Sequence, residues 1–286
     1  MKSIAYLRYV LDEMQAPRAV KLKYLGEKVL KAPVVRLNRL CGLHLPLPYL
    51  LREDYTLSNR YGTWRIRHGS DFDYSVNPLF EQSLEPSFQC RGKVFLDIGA
   101  HIGKWSVFVA RASPAVQVYA FEPHPLSFDY LQQNVRLNRL QNVEPVHAAV
   151  SSARSRALFE MPRVNTEMSK LVSAPGREGC DVMQVDTVSM DGFLAERGLL
   201  PTDVGLVKVD VEGHELQVLE GMRGLLAGAA DLTLICEILR GQTQREEIFR
   251  FMAELGYAAT QLPTGVDYLF RRRRAAGCTP AAAASA

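Results

Sequence analysis

The stretch that most constrains the fold runs from Val94 to Gly103, V-F-L-D-I-G-A-H-I-G. Its apolar start predicts a short buried strand that ends in an acid, Asp97, and its glycines at positions 99 and 103 predict a turn. Apolar residues then recur at helical spacing from Trp105 to Ala112. A strand, a glycine turn and a helix in this order are typical of the first unit of a nucleotide-binding α/β sheet, where bare backbone and free helix N–H groups approach the ligand.

A second apolar run, Val116 to Phe121, ends in Glu122, 23 residues after Gly99. An acid at this strand end holds the two ribose hydroxyls in such folds. The dinucleotide pattern G-x-G-x-x-G fails, because its second and third glycines would fall at His101 and Lys104. A pyrophosphate needs bare backbone at those points, so NAD and FAD are disfavoured. A nucleoside cofactor without phosphates, such as S-adenosylmethionine, fits better.

From position 93 onward, strand and helix patterns alternate. The predicted strands are 94–98, 116–122, 143–150, 204–210 and 232–238, and the predicted helices are 103–112, 125–138, 189–197, 214–227 and 244–255. An irregular section, 151–185, contains one further strand near Ala157 to Met161. Two adjacent strands, near Tyr257 to Gln261 and Tyr268 to Phe270, predict an antiparallel hairpin at one edge of a mostly parallel sheet that helices cover on both faces.

The first 85 residues show a different pattern. Two helical stripes end at Pro17 and Pro33, a strand or hairpin pattern spans Gly62 to Phe72, and Pro78 to Leu84 predicts a short helix. Lysines flank the second stripe, and two interpretations of it stay open. It is either a helix packed on the domain with its lysines in water, or a basic amphipathic helix that lies on an anionic membrane or partner.

Charge and cysteine usage narrow the class of protein. Residues 1–50 carry nine Lys or Arg and three acids, Arg271 to Arg274 add four positive charges, and residues 51–270 are net −7. An acidic core argues against a nucleic-acid enzyme. Five dispersed cysteines without a C-x-x-C motif argue against disulfides and zinc. The N-terminus is a poor signal peptide and no apolar run has membrane length, so we expect a cytoplasmic protein.

The end of the fourth core strand carries the richest group of polar residues, Lys208-Val209-Asp210-Val211-Glu212-Gly213-His214. Ligands in an open parallel sheet bind beyond such strand ends. Lys208 and Asp210 alternate onto one side of the strand, and a lysine in an apolar strand needs an acidic partner, either Asp210 or Glu237. A purely structural interpretation of two of these residues stays open. Lys208 would then form a buried ion pair that only orders the sheet, and His214 would lie at a helix N-terminus in water.

Three motifs resemble the FkbM family of S-adenosylmethionine-dependent methyltransferases over roughly residues 90–240: V-F-L-D-I-G-A-H-I-G, A-F-E-P at 120–123, and V-K-V-D-V-E-G-H-E at 207–215. The resemblance implies an α/β fold with a Rossmann-like seven-stranded sheet, and methyl transfer to a hydroxyl oxygen. We accordingly divide the chain into an N-terminal helical and hairpin extension (1–85), a methyltransferase domain (86–274) and a disordered Ala-rich tail (275–286).

The resemblance implies cofactor-binding residues, and the chemistry of methyl transfer to a hydroxyl adds catalytic candidates. The cofactor-binding set is Asp97, Gly99, Ala100, His101, Gly103, Glu122, Pro123, Ala149, Val150 and Asp210, and the catalytic set is Asp210, Glu212, His214 and Lys208. Asp97, Gly99 and Gly103 would shape the methionine end of the pocket. Glu122 would bind the ribose, and Ala149 to Ser151 would lie beside the adenine. The pair Asp210 and Glu212 is the favoured general base, with His214 as the alternative. No ligand spacing demands a metal, so none is predicted.

The expected activity is O-methylation of a sugar, a glycan or a glycosylated metabolite. The alternatives are a methyltransferase for a polyketide-type natural product, for a protein or for a nucleic acid, and a non-catalytic membrane-surface protein. A base-methylating enzyme would need a motif such as N-P-P-Y after the fourth strand, where this chain has Asp210-Val211-Glu212-Gly213. The expected partners are a small-molecule or glycan acceptor and no nucleic acid, with peripheral contact at the inner membrane surface through the basic N-terminal helices.

Overall fold

The structure is a computed structural model that describes residues 5, 7–41, 53–68, 75–162, 168–174, 176 and 178–272. The predicted disordered tail, 275–286, lies outside the described residues. The strands are β1 (Tyr55–Ser58), β2 (Thr63–Ile66), β3 (Val94–Ile98), β4 (Gln117–Phe121), β5 (Val143–Val146), β6 (Ala149–Val150), β7 (Ser155–Pro162), β8 (Lys170–Val172), β9 (Cys180–Val188), β10 (Val204–Val209), β11 (Thr233–Glu237), β12 (Tyr257–Gln261) and β13 (Asp267–Arg272). The α-helices are α1 (Arg18–Cys41), α2 (Lys104–Ala112), α3 (Pro125–Leu137), α4 (Met190–Glu196), α5 (Glu215–Glu220), α6 (Arg223–Gly228) and α7 (Arg245–Glu254).

The central sheet has seven strands in the order β12-β13-β11-β10-β3-β4-β5. The five strands from β11 to β5 are parallel to their neighbours, and β13 runs antiparallel to both β11 and β12. This order confirms the predicted α/β fold with an antiparallel edge hairpin. The chain leaves β3 toward β4 on one side and later returns to β10 on the other. The crevice above that reversal is where such sheets bind ligands.

The middle of the sheet is buried on both faces. Every residue of β3 and of β10 is buried. Alternate residues of β3 enter different layers: Leu96 packs with Val207 in the cluster beneath α4, α5 and α6, whereas Phe95 packs with Leu206 in the cluster beneath α2 and α3. Continuous apolar runs, rather than alternating ones, are therefore what the two central strands need.

A second sheet, β6-β9-β7-β8, is inserted between β5 and α4. The strand predicted near Ala157 to Met161 lies within β7. The single strand predicted over 143–150 is wrong, because the chain turns between Val146 and Ala148, whose N–H bonds back to the Val146 carbonyl at 3.0 Å. Strand β6 then pairs with β9, in the second sheet, instead of continuing beside β4.

The N-terminal region packs on the outer side of the central sheet. Tyr9, Val10 and Met14 share a buried cluster with the β1–β2 hairpin and with residues of α2 and α3. Polar contacts fix the hairpin to α3, since Asn138 accepts a hydrogen bond from the Thr63 N–H at 2.9 Å and donates one to the Thr63 carbonyl at 2.7 Å. The division at residue 85 stays a prediction.

Three helix boundaries differ from the predictions. Helix α1 continues through Pro33, which faces solvent, where water can bond the carbonyl that loses its N–H partner. The predicted helix 214–227 is split into α5 and α6, with Gly221 and Met222 between them. A Cβ on Gly221 would lie 2.1 Å from the Ser151 carbonyl oxygen, so the chain passes close to Ser151 at this break. The helix predicted over Pro78 to Leu84 is a turn followed by a 3₁₀ helix, Gln82–Ser87.

Two further features bear on the predicted class. In the part of the chain that the structure covers, no helix combines the length and the apolar character that crossing a bilayer requires. Four of the five cysteines, at 41, 90, 180 and 236, are described, and all four are free thiols.

Candidate active site

A cavity opens at the carboxyl ends of β3, β4 and β10, at the reversal of strand order. Most of the residues predicted from the sequence line it: Gly99, Ala100, His101, Glu122, Pro123, Ala149, Val150, Lys208, Asp210, Glu212 and His214. The structure therefore brings together one group from the β3 turn, one from the end of β4 and one from the end of β10. Ala149 and Val150, the predicted adenine neighbours, are buried in its wall.

Gly99 is needed for a contact within the protein. Its φ is +82°, and a Cβ there would lie 1.8 Å from the Asp210 carbonyl oxygen. The turn after β3 thus touches the backbone of the loop after β10. This close approach places Asp210 beside the turn from Gly99 to His101. It explains the glycine without requiring that a ligand fill the space.

Asp97 and Gly103 do not line the cavity. The Asp97 side chain is buried behind its wall, where Oδ2 accepts a hydrogen bond from Ser106 Oγ at 2.5 Å, and burial raises the pKa of this carboxyl. A Cβ on Gly103 would lie 2.6 Å from Leu131 Cδ1, so this glycine lets α2 begin against α3. In the structure both residues contact the chain itself and reach the cavity only through the elements that they position.

Glu122 is a buried carboxylate held by two backbone amides. One oxygen accepts the His101 N–H at 2.8 Å and the other accepts the His124 N–H at 2.8 Å. Burial raises the pKa of Glu122 to about 7, although both N–H groups oppose that rise. Each carboxylate oxygen retains a second lone pair. A pair of neighbouring hydroxyls can donate to them, which is the chemistry that a ribose diol requires.

The two histidines beside Glu122 are kept neutral. Burial, with His124 nearby, lowers the pKa of His101 to about 3, and burial lowers the pKa of His124 to about 4. His124 is the N-cap of α3, and its Nδ1 accepts hydrogen bonds from the N–H groups of Leu126 and Ser127 at 3.2 and 3.4 Å. A neutral ring is needed for that acceptor role. The local order of the β4–α3 turn thus depends on an unprotonated His124.

Lys208 is buried beside two partly exposed acidic side chains, Asp210 and Glu237. Lys208 Nζ donates to Asp210 Oδ2 at 2.7 Å, so the ion pair expected from the sequence is present. Burial opposes charge on both partners, yet the attraction between them raises the pKa of Lys208 and lowers that of Asp210. The negative charge of Asp210 raises the pKa of Glu237, whose carboxyl oxygen lies within 4.8 Å of that of Asp210. Ionised Asp210 is therefore held between an ammonium group and a protonated carboxyl.

Replacing Lys208 with methionine should destabilise the protein by roughly 2–4 kcal/mol, because Asp210 loses its cation. The value lies below that of a fully buried pair because the Asp210 side chain is 29% exposed. The matched control is Lys93→Met. Lys93 also pairs with an acid, Asp203 at 3.2 Å, but it is 84% exposed and should change stability by less than about 1 kcal/mol. Urea unfolding of both variants measures the difference, and equal losses would contradict it.

Glu212 and His214 lie at the mouth of the cavity. Glu212 has a left-handed φ of 54°, a strained conformation for a residue with a side chain. Burial, together with the charges of Asp210 and Glu215, raises the pKa of Glu212 to about 7. Nε2 of His214 lies 2.9 Å from Ser151 Oγ, and burial lowers the pKa of His214. A carboxyl that titrates near neutral pH is well suited to accept a proton from a hydroxyl.

Three carboxylates, of Asp210, Glu212 and Glu237, have oxygens within 4.8 Å of one another, a spacing compatible with a cation. The ammonium of Lys208 already supplies a positive charge to this group. The sequence did not reveal the spacing, because Glu237 comes from a different strand. That the reaction needs no metal stays a prediction.

Sequence reasoning missed one wall of the cavity, formed by Phe80, Glu81 and Lys104. Lys104 is almost fully buried, and its Nζ donates to the Phe80 carbonyl at 2.8 Å and to Glu81 Oε2 at 3.2 Å. Glu81 is held in a left-handed conformation with φ of 57°. A lysine in the first turn of a helix opposes the helix dipole, and this was the available signal.

The second sheet and the residue before β8 supply further lining residues, Phe159, Ser169, Lys170 and Leu171. The positive charge of Lys170 lowers the pKa of Glu212, but burial of Glu212 raises that pKa by more. No sequence pattern pointed to these positions, because they are brought to the cavity by pairing between β7 and β8, which is a long-range contact.

The sheet order, the β3 turn without a pyrophosphate pattern and the buried carboxylate suited to a ribose diol all fit one cofactor. That Glu122 contacts the ribose, the turn from Gly99 to His101 the body of the cofactor, and Ala149 with Val150 the adenine stays a prediction, although all of these residues line the cavity. The class of protein that these features fit is a methyltransferase that uses S-adenosylmethionine.

The chain belongs to the FkbM family: the family profile of the methyltransferase FkbM domain matches residues 97–259, more than half of its length. It is 30% identical over 222 residues to the hexuronic acid methyltransferase AglP of Haloferax volcanii, a match that covers 77% of this chain and 84% of AglP. It is 28% identical to the 31-O-demethyl-FK506 methyltransferase FkbM of Streptomyces tacrolimicus, over 46% of this chain and 60% of that protein. It is also 33% identical to methyltransferase sdnD of Sordaria araneosa, over 44% of this chain and 59% of sdnD.

Proposed function

We propose that this enzyme transfers the methyl group of S-adenosylmethionine to a hydroxyl oxygen of a sugar or glycan. A sugar acceptor is supported by the similarity to AglP, described as a hexuronic acid methyltransferase, which extends over 77% of the chain. The likeness to the FK506 methyltransferase covers only 46%. A polyketide-type acceptor is accordingly the second candidate.

The residues at the mouth of the cavity support transfer to a hydroxyl. S-adenosylmethionine supplies a methyl group already activated on a sulfonium. The protein must therefore align the acceptor oxygen and receive its proton. Glu212, with its pKa near 7, is the proposed proton acceptor, and His214 is the alternative. Asp210 is a weaker candidate than the sequence indicated, because its charge is committed to Lys208 and Glu237.

The acceptor class is tested by transfer of label from methyl-tritiated S-adenosylmethionine to three sets of compounds: oligosaccharides that contain hexuronic acids, neutral oligosaccharides, and macrolide alcohols. We expect label in the sugars and none in the macrolides. Mild alkali then distinguishes the bond formed, because it releases label from a methyl ester but not from a methyl ether. Alkali-stable label in a sugar is the expected result.

A Glu212→Gln enzyme serves as the background control for the same screen. Label confined to the macrolides would replace the sugar proposal with the polyketide alternative. Alkali-labile label in the uronic acids would retain the sugar but move the acceptor atom from a hydroxyl to a carboxylate.

A further inference from the structure

Helix α1 exposes an apolar stripe to solvent. Four large apolar side chains form this stripe: Leu22 is 70% exposed, Val29 72%, Leu37 43% and Leu40 71%. At about 100° per residue, their positions fall within about 80° of one another around the helix. Globular proteins bury such a stripe, and here it faces outward along most of a 24-residue helix.

The exposure does not come from a helix that is detached from the protein. Val20, on the opposite side of α1, and Leu25, at the edge of the stripe, pack against the buried cluster that contains Tyr9 and Trp64. Lys21 Nζ also donates to the Leu11 carbonyl at 2.7 Å, which ties the start of α1 to the preceding turn. The helix is therefore docked by one face, while the stripe remains on the other.

The charges of α1 are almost all positive. The helix carries seven Lys or Arg residues and a single acid, Glu27. Arg18 and Arg36 are exposed on the same side as the stripe. A partner that binds this surface must therefore offer both an apolar environment for the stripe and negative charge for the Lys and Arg side chains.

These two requirements select one occupant. A second copy of α1 would place seven like charges against seven, and a nucleic acid would offer negative charge without an apolar phase. The interface of an anionic bilayer offers both, since apolar side chains enter the acyl boundary while Lys and Arg meet lipid phosphates. We propose that α1 lies flat on an anionic membrane surface and holds the enzyme there through Leu22, Val29, Leu37 and Leu40.

The proposal is tested by co-sedimentation of the full chain with vesicles of phosphatidylcholine, alone or mixed with phosphatidylglycerol. We expect the protein to pellet with the mixed vesicles and to remain in solution with phosphatidylcholine. Raising the salt concentration should release it, and each of Arg18→Gln and Arg36→Gln should weaken partition about fivefold. Leu22→Gln/Val29→Gln should lower partition by about tenfold or more, and Leu37→Gln/Leu40→Gln should do the same from the other end of the helix.

The matched control is Leu137→Gln/Leu200→Gln, which removes two apolar side chains of similar exposure, 44% and 61%, elsewhere on the surface. It should partition like the wild type. The proposal is overturned if the wild type stays in solution with the mixed vesicles, or if the control loses as much binding as the α1 variants. It is also overturned if the wild type is a dimer that does not bind vesicles and if the α1 substitutions convert that dimer to monomers. Methyl transfer to a soluble acceptor should be unchanged in every variant, so this test is independent of the proposed reaction.

Discussion

Glu122→Ala should reduce S-adenosylmethionine affinity by about 10²–10⁴-fold. The expected loss corresponds to two hydrogen bonds from the ribose hydroxyls to a charged acceptor, each contributing roughly 1.5–3 kcal/mol. The substitution also leaves the His101 and His124 N–H groups without their acceptor, which loosens both turns of the cofactor site. Glu122→Gln keeps one acceptor oxygen and should lie between the wild type and Glu122→Ala. Isothermal titration calorimetry measures all three affinities.

Glu144→Gln provides the control for that measurement. Glu144 lies on the neighbouring strand β5 and pairs with Arg197, outside the cavity. The affinity of the Glu144→Gln protein for S-adenosylmethionine should match that of the wild type. Unchanged affinity in the Glu122 variants would remove this residue from the cofactor site.

The same variants test the raised pKa of Glu122. A carboxyl whose pKa rises from 4.5 when unfolded to about 7 when folded binds a proton more tightly in the folded state. Its contribution to stability is therefore fully present below pH 4.5 and is lost as the pH rises through 7. Relative to Glu122→Gln, which cannot titrate, the cofactor-free wild type should lose roughly 3 kcal/mol between these limits in urea unfolding.

The core of the fold could be predicted from the sequence because it depends on local patterns. Continuous apolar runs gave β3 and β10, and the acids after them marked the strand ends where the cavity lies. The reason for Gly99 could not be predicted, since it depends on the Asp210 backbone, more than a hundred residues away along the chain. Local pattern identified the residue, and only the tertiary contact explained it.

The parts that sequence reasoning missed depend on long-range pairing. Strand β9 buries only two residues, Val185 and Thr187, and lacks an apolar face strong enough to identify it. Its partner β7 fixes its register over eight residue pairs. The same limitation applies to Lys170, which reaches the cavity only through that sheet. The predicted helix end at Pro33 was wrong for a different reason. A proline on the solvent side of a helix removes one backbone hydrogen bond, and water can replace it.

Glu212→Gln should lower kcat by about 10²–10⁴-fold while leaving S-adenosylmethionine affinity within about threefold of the wild type. Glu212 lies at the mouth of the cavity, whereas Glu122 is held at the end of β4 by two backbone N–H groups, so the two proposed functions should separate in the two variants. Glu220→Gln, an exposed acid on α5, is the matched control and should keep wild-type turnover. Steady-state kinetics with label transfer to the acceptor found in the screen, together with calorimetry, measures both quantities.

The pH dependence of kcat then distinguishes the two candidate bases. With both substrates saturating, the rate should rise with pH as Glu212 loses its proton, since only the ionised carboxylate accepts one. Burial places the pKa of Glu212 at about 7, and the positive sulfonium should bring it somewhat lower in the complex. The rise should persist in His214→Gln and disappear in Glu212→Gln. The opposite pattern would assign the proton to His214, whose hydrogen bond to Ser151 would then orient the ring that does the chemistry.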